Sequence, residues 1–285
     1  MITKILYYIL VLPISLLPLP ILYLFSDIFC LIIKIIGYRK EVVFSNLKNS
    51  FPEKPEKEIM QISNNFFKHF FHLIIEIIKM ISASRSLFNN RVIITNTELI
   101  NNYAEKNQTI ILVFGHFNNW EWVGQKLSIS AKQKVVGIYK ALNNKKFDNH
   151  LKKARTKFGA IAVSMEESMR YIIKTKSETQ IIGIIADQNP VVNSTTKWHS
   201  FFGREVPVFI GAEKIAKNMD YPVVFCDMQK IGSGKYTITF ENLEVNPKST
   251  NEGEITKRYF ERLEKQIKAN PSQWLWSHKR WKHKK

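Results

Sequence analysis

The sequence predicts an α/β fold: a mixed, mostly parallel sheet flanked by helices and preceded by an N-terminal membrane-anchoring helix. Three observations carry this. Apolar runs without alternation, Ile110-Ile111-Leu112-Val113-Phe114 and Ile181-Ile182-Gly183-Ile184-Ile185, are the pattern of strands buried on both faces of a parallel sheet. Segments of helical character lie between such runs, so strands and helices alternate. Residues 5–25 carry no charge, and that length is enough to cross a bilayer.

Taken in order, the chain begins with that apolar stretch. Lys4 precedes it, and Lys34, Arg39 and Lys40 follow. The positive-inside rule therefore orients it weakly, with the more basic downstream side cytoplasmic. Pro13, Pro18 and Pro20 interrupt it, which predicts a kink or a short helix followed by a second one. No small-residue cleavage site follows, so it does not read as a signal peptide. The competing reading is a buried N-terminal hairpin. Residues 1–36 are assigned to the anchor and 37–285 to the main domain. Residues 40–52 read as an amphipathic helix. Residues 55–82 read as one long helix with Glu56 and Glu58 near its start, as the helix dipole favours. On it His69, His72 and Glu76 share a face. That is a candidate metal face with no further ligand evident, and core packing is the usual reason for such a face.

A short strand is expected at 91–94, a helix at 96–105 and the central strand at 110–114. Then follow a helix at 120–130, a strand at 135–139 and a basic helix at 147–158, stopped by Gly159. A short strand at 161–163, a helix at 166–174 and a strand at 181–186 lead to Asp187-Gln188-Asn189-Pro190. A short helix is expected at 211–218. Strands at 222–228 and 235–240 form a hairpin around Gly232-Ser233-Gly234, and a last helix covers 255–268.

The 285 residues suffice for one large domain or two small ones. With 45% hydrophobic and 23% charged residues, the chain is globular rather than disordered. The net charge of +18 implies an acidic partner: nucleic acid, anionic lipid or an acidic carrier protein. Cys30 and Cys226 lie in apolar surroundings and make no disulfide or zinc pattern, which fits a reducing compartment.

The chemistry concentrates at the ends of the apolar runs. Gly115 breaks the central strand, and His116 and Glu121 follow. A histidine at the C-terminal end of a buried strand sits where open α/β sheets place ligands. In one continuous helix, positions five apart point about 140° away from each other. Glu121 therefore reaches His116 only across a bend or helix start, for which Asn118 and Asn119 are suitable residues. A glutamate so placed holds the imidazole tautomer and stabilises its cation. Tyr139 and Lys140 end the next strand, and Asp187 and Gln188 end a third. Asp187 reads either as an orienting carboxylate or as a cap. Arg155 reads either as a cation for a phosphate or developing oxyanion or as part of a solvated helix face. No Gly-x-Ser-x-Gly, Walker loop or Gly-x-Gly-x-x-Gly is present. A histidine base without such a nucleophile suggests direct activation of a substrate hydroxyl.

Taken together these blocks resemble the bacterial lipid A late acyltransferases, of lauroyl/myristoyl type, within the lysophospholipid acyltransferase superfamily. Gly115-His116-Phe117-Asn118-Asn119-Trp120-Glu121 resembles that family's His-x-x-x-x-Asp/Glu block. Tyr139-Lys140 with Arg155 and Gly159 resembles the second, and Ala186-Asp187-Gln188-Asn189-Pro190 with Phe201-Phe202-Gly203-Arg204 the third. Pro222-Val223-Val224 begins the fourth, and Pro271-Ser272-Gln273-Trp274-Leu275-Trp276-Ser277-His278-Lys279-Arg280-Trp281 is similar to the C-terminal signature. The chain departs from the pattern at Lys140, where an arginine is common, and at Val206-Pro207-Val208-Phe209, where a threonine often follows the third block. Lysine keeps the charge but loses bidentate geometry.

The resemblance implies transfer of a fatty acyl group from acyl carrier protein to a hydroxyl of a phosphorylated lipid A precursor, in lipopolysaccharide biosynthesis at the cytoplasmic side of the bacterial inner membrane. His116 would be the general base and Glu121 its orienting partner, a contribution on the order of 10²–10⁴ in rate. Arg155 or backbone amides would serve the oxyanion, Asp187, Gln188, Tyr139 and Lys140 would shape the rim, and no metal or cofactor is required. Trp274, Trp276 and Trp281 with the basic tail suit a membrane interface; a packed aromatic end is the alternative. Three rivals are an acyltransferase for a lysophospholipid or aminolipid, a membrane-bound metal hydrolase using His69, His72 and Glu76, and a non-enzymatic nucleic-acid binder. The apolar N-terminus and the His–Glu block count against the last.

Overall fold

The structure, a computed structural model, describes residues 7–283 and 285, apart from the side chains of residues 34 and 35. Its strands are β1 (Val92–Ile94), β2 (Ile110–Phe114), β3 (Lys134–Tyr139), β4 (Ile161–Ser164), β5 (Gln180–Ile185), β6 (Lys197–Phe201), β7 (Arg204–Val208), β8 (Val223–Gly232) and β9 (Lys235–Glu244). Its helices are α1 (Leu12–Leu16), α2 (Leu19–Ile36), α3 (Lys40–Ser50), α4 (Glu56–Met80), α5 (Arg85–Arg91), α6 (Thr97–Glu105), α7 (Trp120–Ser130), α8 (Lys145–Thr156), α9 (Ser168–Lys174), α10 (Gly211–Met219) and α11 (Glu254–Ala269).

Seven strands form one sheet in the order β1-β9-β8-β2-β5-β3-β4. The strands β8, β2, β5, β3 and β4 run parallel, while β9 and β1 run the other way. The expected mixed, mostly parallel sheet is therefore present. Its middle strand is β2, whose residues alternate between two cores, as the two-residue period of a strand requires. Ile111 and Val113 face a core built with Phe66, Phe225, Phe260 and Leu263, and Ile110 and Leu112 face one built with Phe88, Trp122 and Tyr236. Both faces being covered explains why the strand reads as an unbroken apolar run.

The structure gives the expected anchoring helix no support as a membrane span. Among the described residues, no helix is long and apolar enough to cross a membrane. The prolines are the physical reason: a proline supplies no N–H and bars helical geometry to the residue before it. Leu17, before Pro18, is extended (φ −61°, ψ 148°), so the apolar stretch breaks into α1 and α2. The 18 residues of α2 include Asp27, which pairs with His72 of α4 at 2.7 Å. Leu19 and Leu22 are buried in the second core. The far side of α2, with Leu24, Phe25, Ile28, Phe29, Leu31 and Ile32, is exposed. Lys4 and the rest of residues 1–6 lie outside the described residues.

The hairpin of β6 and β7 is a further addition to the sequence reading. It turns at Phe202 and Gly203, both with positive φ (52° and 66°). Pro207 within β7 argues against a strand in a sheet interior; this separate two-stranded sheet tolerates it.

Candidate active site

The parallel register of β2 and β5 sets Phe114 opposite Ile185. Two residues beyond that pair stand His116 and Asp187, so the register brings an imidazole and a carboxylate together at the C-terminal rim of the sheet. His116 Nδ1 lies 2.5 Å from Asp187 Oδ1. The His116 backbone N–H donates to Asp187 Oδ2 at 2.7 Å, and Trp274 Nε1–H donates to the same oxygen at 2.8 Å. Gly115 permits this approach: a Cβ there would stand 2.6 Å from Leu263 Cδ1 and 3.2 Å from Asp187 Oδ2.

The side chain of Asp187 is 1% exposed and that of His116 19%, so the carboxylate is dry while the imidazole is reachable. Burial alone would raise the Asp187 carboxyl, but the facing His116 and the hydrogen bonds from His116 and Trp274 hold it below the usual carboxylate value. An ionised Asp187 only accepts, so it favours the tautomer with the proton on Nδ1 and leaves Nε2 as an acceptor. Gln188 Nε2 is 3.4 Å from that nitrogen, and the Trp120 ring stands edge-on to the imidazole at 4.8 Å between centroids.

Glu121, expected as the partner of His116, is placed differently. Asn119 caps α7 by accepting from Trp122 N, which puts Glu121 in the first turn facing α8. There Arg155 binds it through two bonds, Nε to Oε2 at 2.8 Å and Nη2 to Oε1 at 2.5 Å. Burial works against the guanidinium charge, but Glu121 overrides it and raises the Arg155 value. The same guanidinium lies over the Tyr139 ring at 5.4 Å, and the Tyr139 hydroxyl donates to Asp148. Glu121, Arg155 and Tyr139 thus form a second cluster, while Lys140 is exposed. The sequence spacing favoured Glu121 because it lies near His116 in the chain. The closer carboxylate comes from a neighbouring strand, which only the register reveals.

The C-terminal segment is the wall of the site. Phe117 and Trp274 form an antiparallel bridge. Leu275 N donates to His116 O at 3.0 Å, and Asn118 N donates to Gln273 O at 2.9 Å. Asn118 adopts a left-handed conformation (φ 52°), and its side chain donates to Met228 O and Gln273 Oε1, both at 2.8 Å. Asn46 of α3 donates to Trp276 O and His278 O. Trp274 and Trp276 are buried, which is the packed aromatic end of the two readings the sequence offered rather than the membrane interface. A buried indole needs a partner for its N–H, and Trp274 finds it on Asp187. Arg280 is fully buried over Phe201 and Phe260 and donates to Asn189 Oδ1 and Pro207 O; burial lowers its value to about 10.

The candidate metal face does not assemble. His72 is bonded to Asp27, Glu76 to two tyrosines and Asn119, and the two ring nitrogens of His69 are buried without a described partner. Among the described residues, no group of three His, Cys, Asp or Glu is arranged to hold a metal ion.

The family model described as bacterial lipid A biosynthesis acyltransferase matches residues 1–283. No curated protein matches the sequence.

Proposed function

The chain belongs to the bacterial lipid A biosynthesis acyltransferase family, and on that premise we propose that it moves an acyl chain from the thioester of acyl carrier protein to a hydroxyl of a phosphorylated lipid A precursor, with His116 as general base. The observation that carries this reading is the His116–Asp187 pair: Nδ1 is held by a buried carboxylate, so the lone pair on Nε2 is available on the reachable side of the ring. The base takes the acceptor hydroxyl proton as its oxygen attacks the thioester carbonyl. The resulting imidazolium lies against Asp187, and its proton then passes to the leaving thiolate. In this proposal Asp187 has the orienting role and Glu121 holds Arg155 at the rim, where the pair presents a cation toward phosphate or oxyanion.

Charge and exposure support a carrier-protein donor and a membrane surface for this reading. Lys140, Lys145, Lys146, Lys152 and Lys153 are exposed around the start and outer face of α8, a surface suited to an acidic carrier protein. The exposed apolar face of α2 suits a helix lying in the membrane surface rather than through it. On this reading the protein works at the cytoplasmic face of the inner membrane, within reach of a lipid acceptor.

Detergent-solubilised protein given acyl carrier protein loaded with several chain lengths and a phosphorylated, Kdo-bearing lipid A precursor tests this. Product with wild type, retained under chelation and lost in His116→Ala, is the expected result. Acylation of a lysophospholipid instead would overturn the acceptor, and no acylation of either would overturn the reading.

A further inference from the structure

Glu76 is a carboxylate with no access to solvent, in the middle of the long helix α4 and outside the chemistry described above. Its two oxygens accept from three elements. Tyr23 of α2 donates to Oε1 at 2.7 Å. Asn119 Nδ2 and the Tyr236 hydroxyl of β9 each donate to Oε2 at 2.7 Å. The backbone carbonyl of Glu76 accepts from Trp122 Nε1 at 3.1 Å. Two of these four donors, Asn119 and Trp122, are the cap and the first turn of α7, whose cap stands three residues after His116.

Asn119 is fully committed. Its amide nitrogen is held by Glu76, and its oxygen caps Trp122 N at 3.2 Å. The loop from His116 to Asn119 is therefore fixed at one end by Asp187 and at the other by Glu76. Tyr23 extends this connection to the N-terminal helix. Its hydroxyl is pressed so closely on the β8–β9 turn that a Cβ at Gly234 would stand 2.1 Å from it, at a residue with φ 59°. Seating of α2 and placement of the His116 loop thus share one carboxylate. A buried hydrogen-bonded network of this kind is costly to leave half satisfied.

We infer that Glu76 is a positioning residue for the His116 loop, and that Tyr23 carries the docking of α2 to it. The inference rests on the acyltransferase reading and concerns a residue that touches no reacting atom.

The test is a hydrogen-bond swap in the full-length protein in detergent, with kcat and KM for both substrates and the melting temperature measured together. Asn119→Asp keeps the cap on Trp122 but sets an acceptor against the Glu76 carboxylate. Its kcat per folded enzyme should fall about tenfold or more, with KM changed by no more than about twofold. Combining it with Glu76→Gln restores a donor between the two positions, and kcat should return to within about threefold of wild type. Tyr23→Phe, which removes only the α2 hydroxyl, should lower kcat about threefold. A lowered melting temperature with wild-type kcat in Asn119→Asp would make the network structural only and overturn the inference. If Asn119→Asp does not fold, unchanged kcat in Tyr23→Phe does the same. A wild-type protein that acylates nothing would overturn the function reading instead, and is distinguished by that control.

Discussion

Asp187→Asn is the substitution on which the mechanism depends most directly. The side chain keeps its size, and one oxygen remains to accept from Trp274 or the His116 amide. What is lost is the negative charge beside the imidazole and the acceptor that selects the Nδ1–H tautomer. With 2.5 Å between His116 Nδ1 and Asp187 Oδ1, the two delocalised charges are centred about 4 Å apart, worth about 4 kcal/mol at an effective dielectric of 20. That attraction exists only once the imidazole has taken the proton, so it lowers the barrier rather than tightening substrate binding. A loss of about 4 kcal/mol corresponds to about 10³ in rate. The assay is kcat for acyl transfer at saturating donor and acceptor, with folding checked by melting. Because the native Asp187 value lies below the usual carboxylate value, the stabilisation it gives is present above that usual value and is lost only as pH falls through the depressed one. Asp187 is therefore ionised across the neutral range in which the assay is run. An Asp187→Asn protein within tenfold of wild-type kcat would refute the assignment of Asp187 as the orienting carboxylate.

Three further outcomes follow from the same geometry. Glu121→Gln and Arg155→Gln should each lower activity, and the double variant should lose no more than the worse single, because each removes the same bidentate pair; additive losses measured in a double-mutant cycle would contradict this. His69 is pushed down to about 3 by burial, with Lys230 and His72 adding to it, so its neutral form carries stability that is full above pH 6.5 and is lost as pH falls toward 3. His69→Leu should flatten that acid loss, on the order of 4 kcal/mol, and raise the melting temperature at pH 7; an unchanged acid limb in melting scans would contradict it. Leu24→Glu with Phe25→Glu, on the exposed face of α2, should leave kcat in detergent unchanged and weaken flotation with anionic vesicles about tenfold or more; unchanged flotation would contradict the in-plane seat.

Much of the fold was legible because the strands announce themselves. The runs at 110–114 and 181–186 are apolar on both sides, and only a covered parallel sheet makes use of both sides at once. The β6–β7 hairpin was not legible because Pro207 reads against a strand and its register depends on a turn at Phe202-Gly203 that has one ordinary residue at positive φ. The break of the N-terminal apolar stretch into two helices turns on where each proline falls: Pro18 sits before the first turn of α2 and Pro20 within it, so together they start a helix rather than bend one. His116 was found from its strand end. Glu121 was expected to face it because chain proximity was the available measure, whereas Asp187 lies 71 positions along the chain, a separation crossed by strand pairing alone.

The C-terminal signature shows the same limit from the other side. Tryptophans beside lysines and arginines satisfy two physical descriptions equally, an interfacial belt and a buried aromatic wall, because both need an apolar body with a polar tip. What separates them is the partner of the indole N–H. Trp274 donates to a buried carboxylate and Trp276 to Pro271 O, so these tips are satisfied inside the protein. The consequence is mechanistic: the last residues of the chain close over a strand-end pair formed near its middle, and Asp187 is completed only when they do. Trp274→Phe keeps the aromatic packing and removes one donor from Asp187. It should lower kcat about tenfold or more, the effect of one hydrogen bond to a charged group, with little change in KM for the donor. A loss confined to vesicle-bound substrate, with kcat in detergent unchanged, would return the residue to the interface and undo this account of the wall.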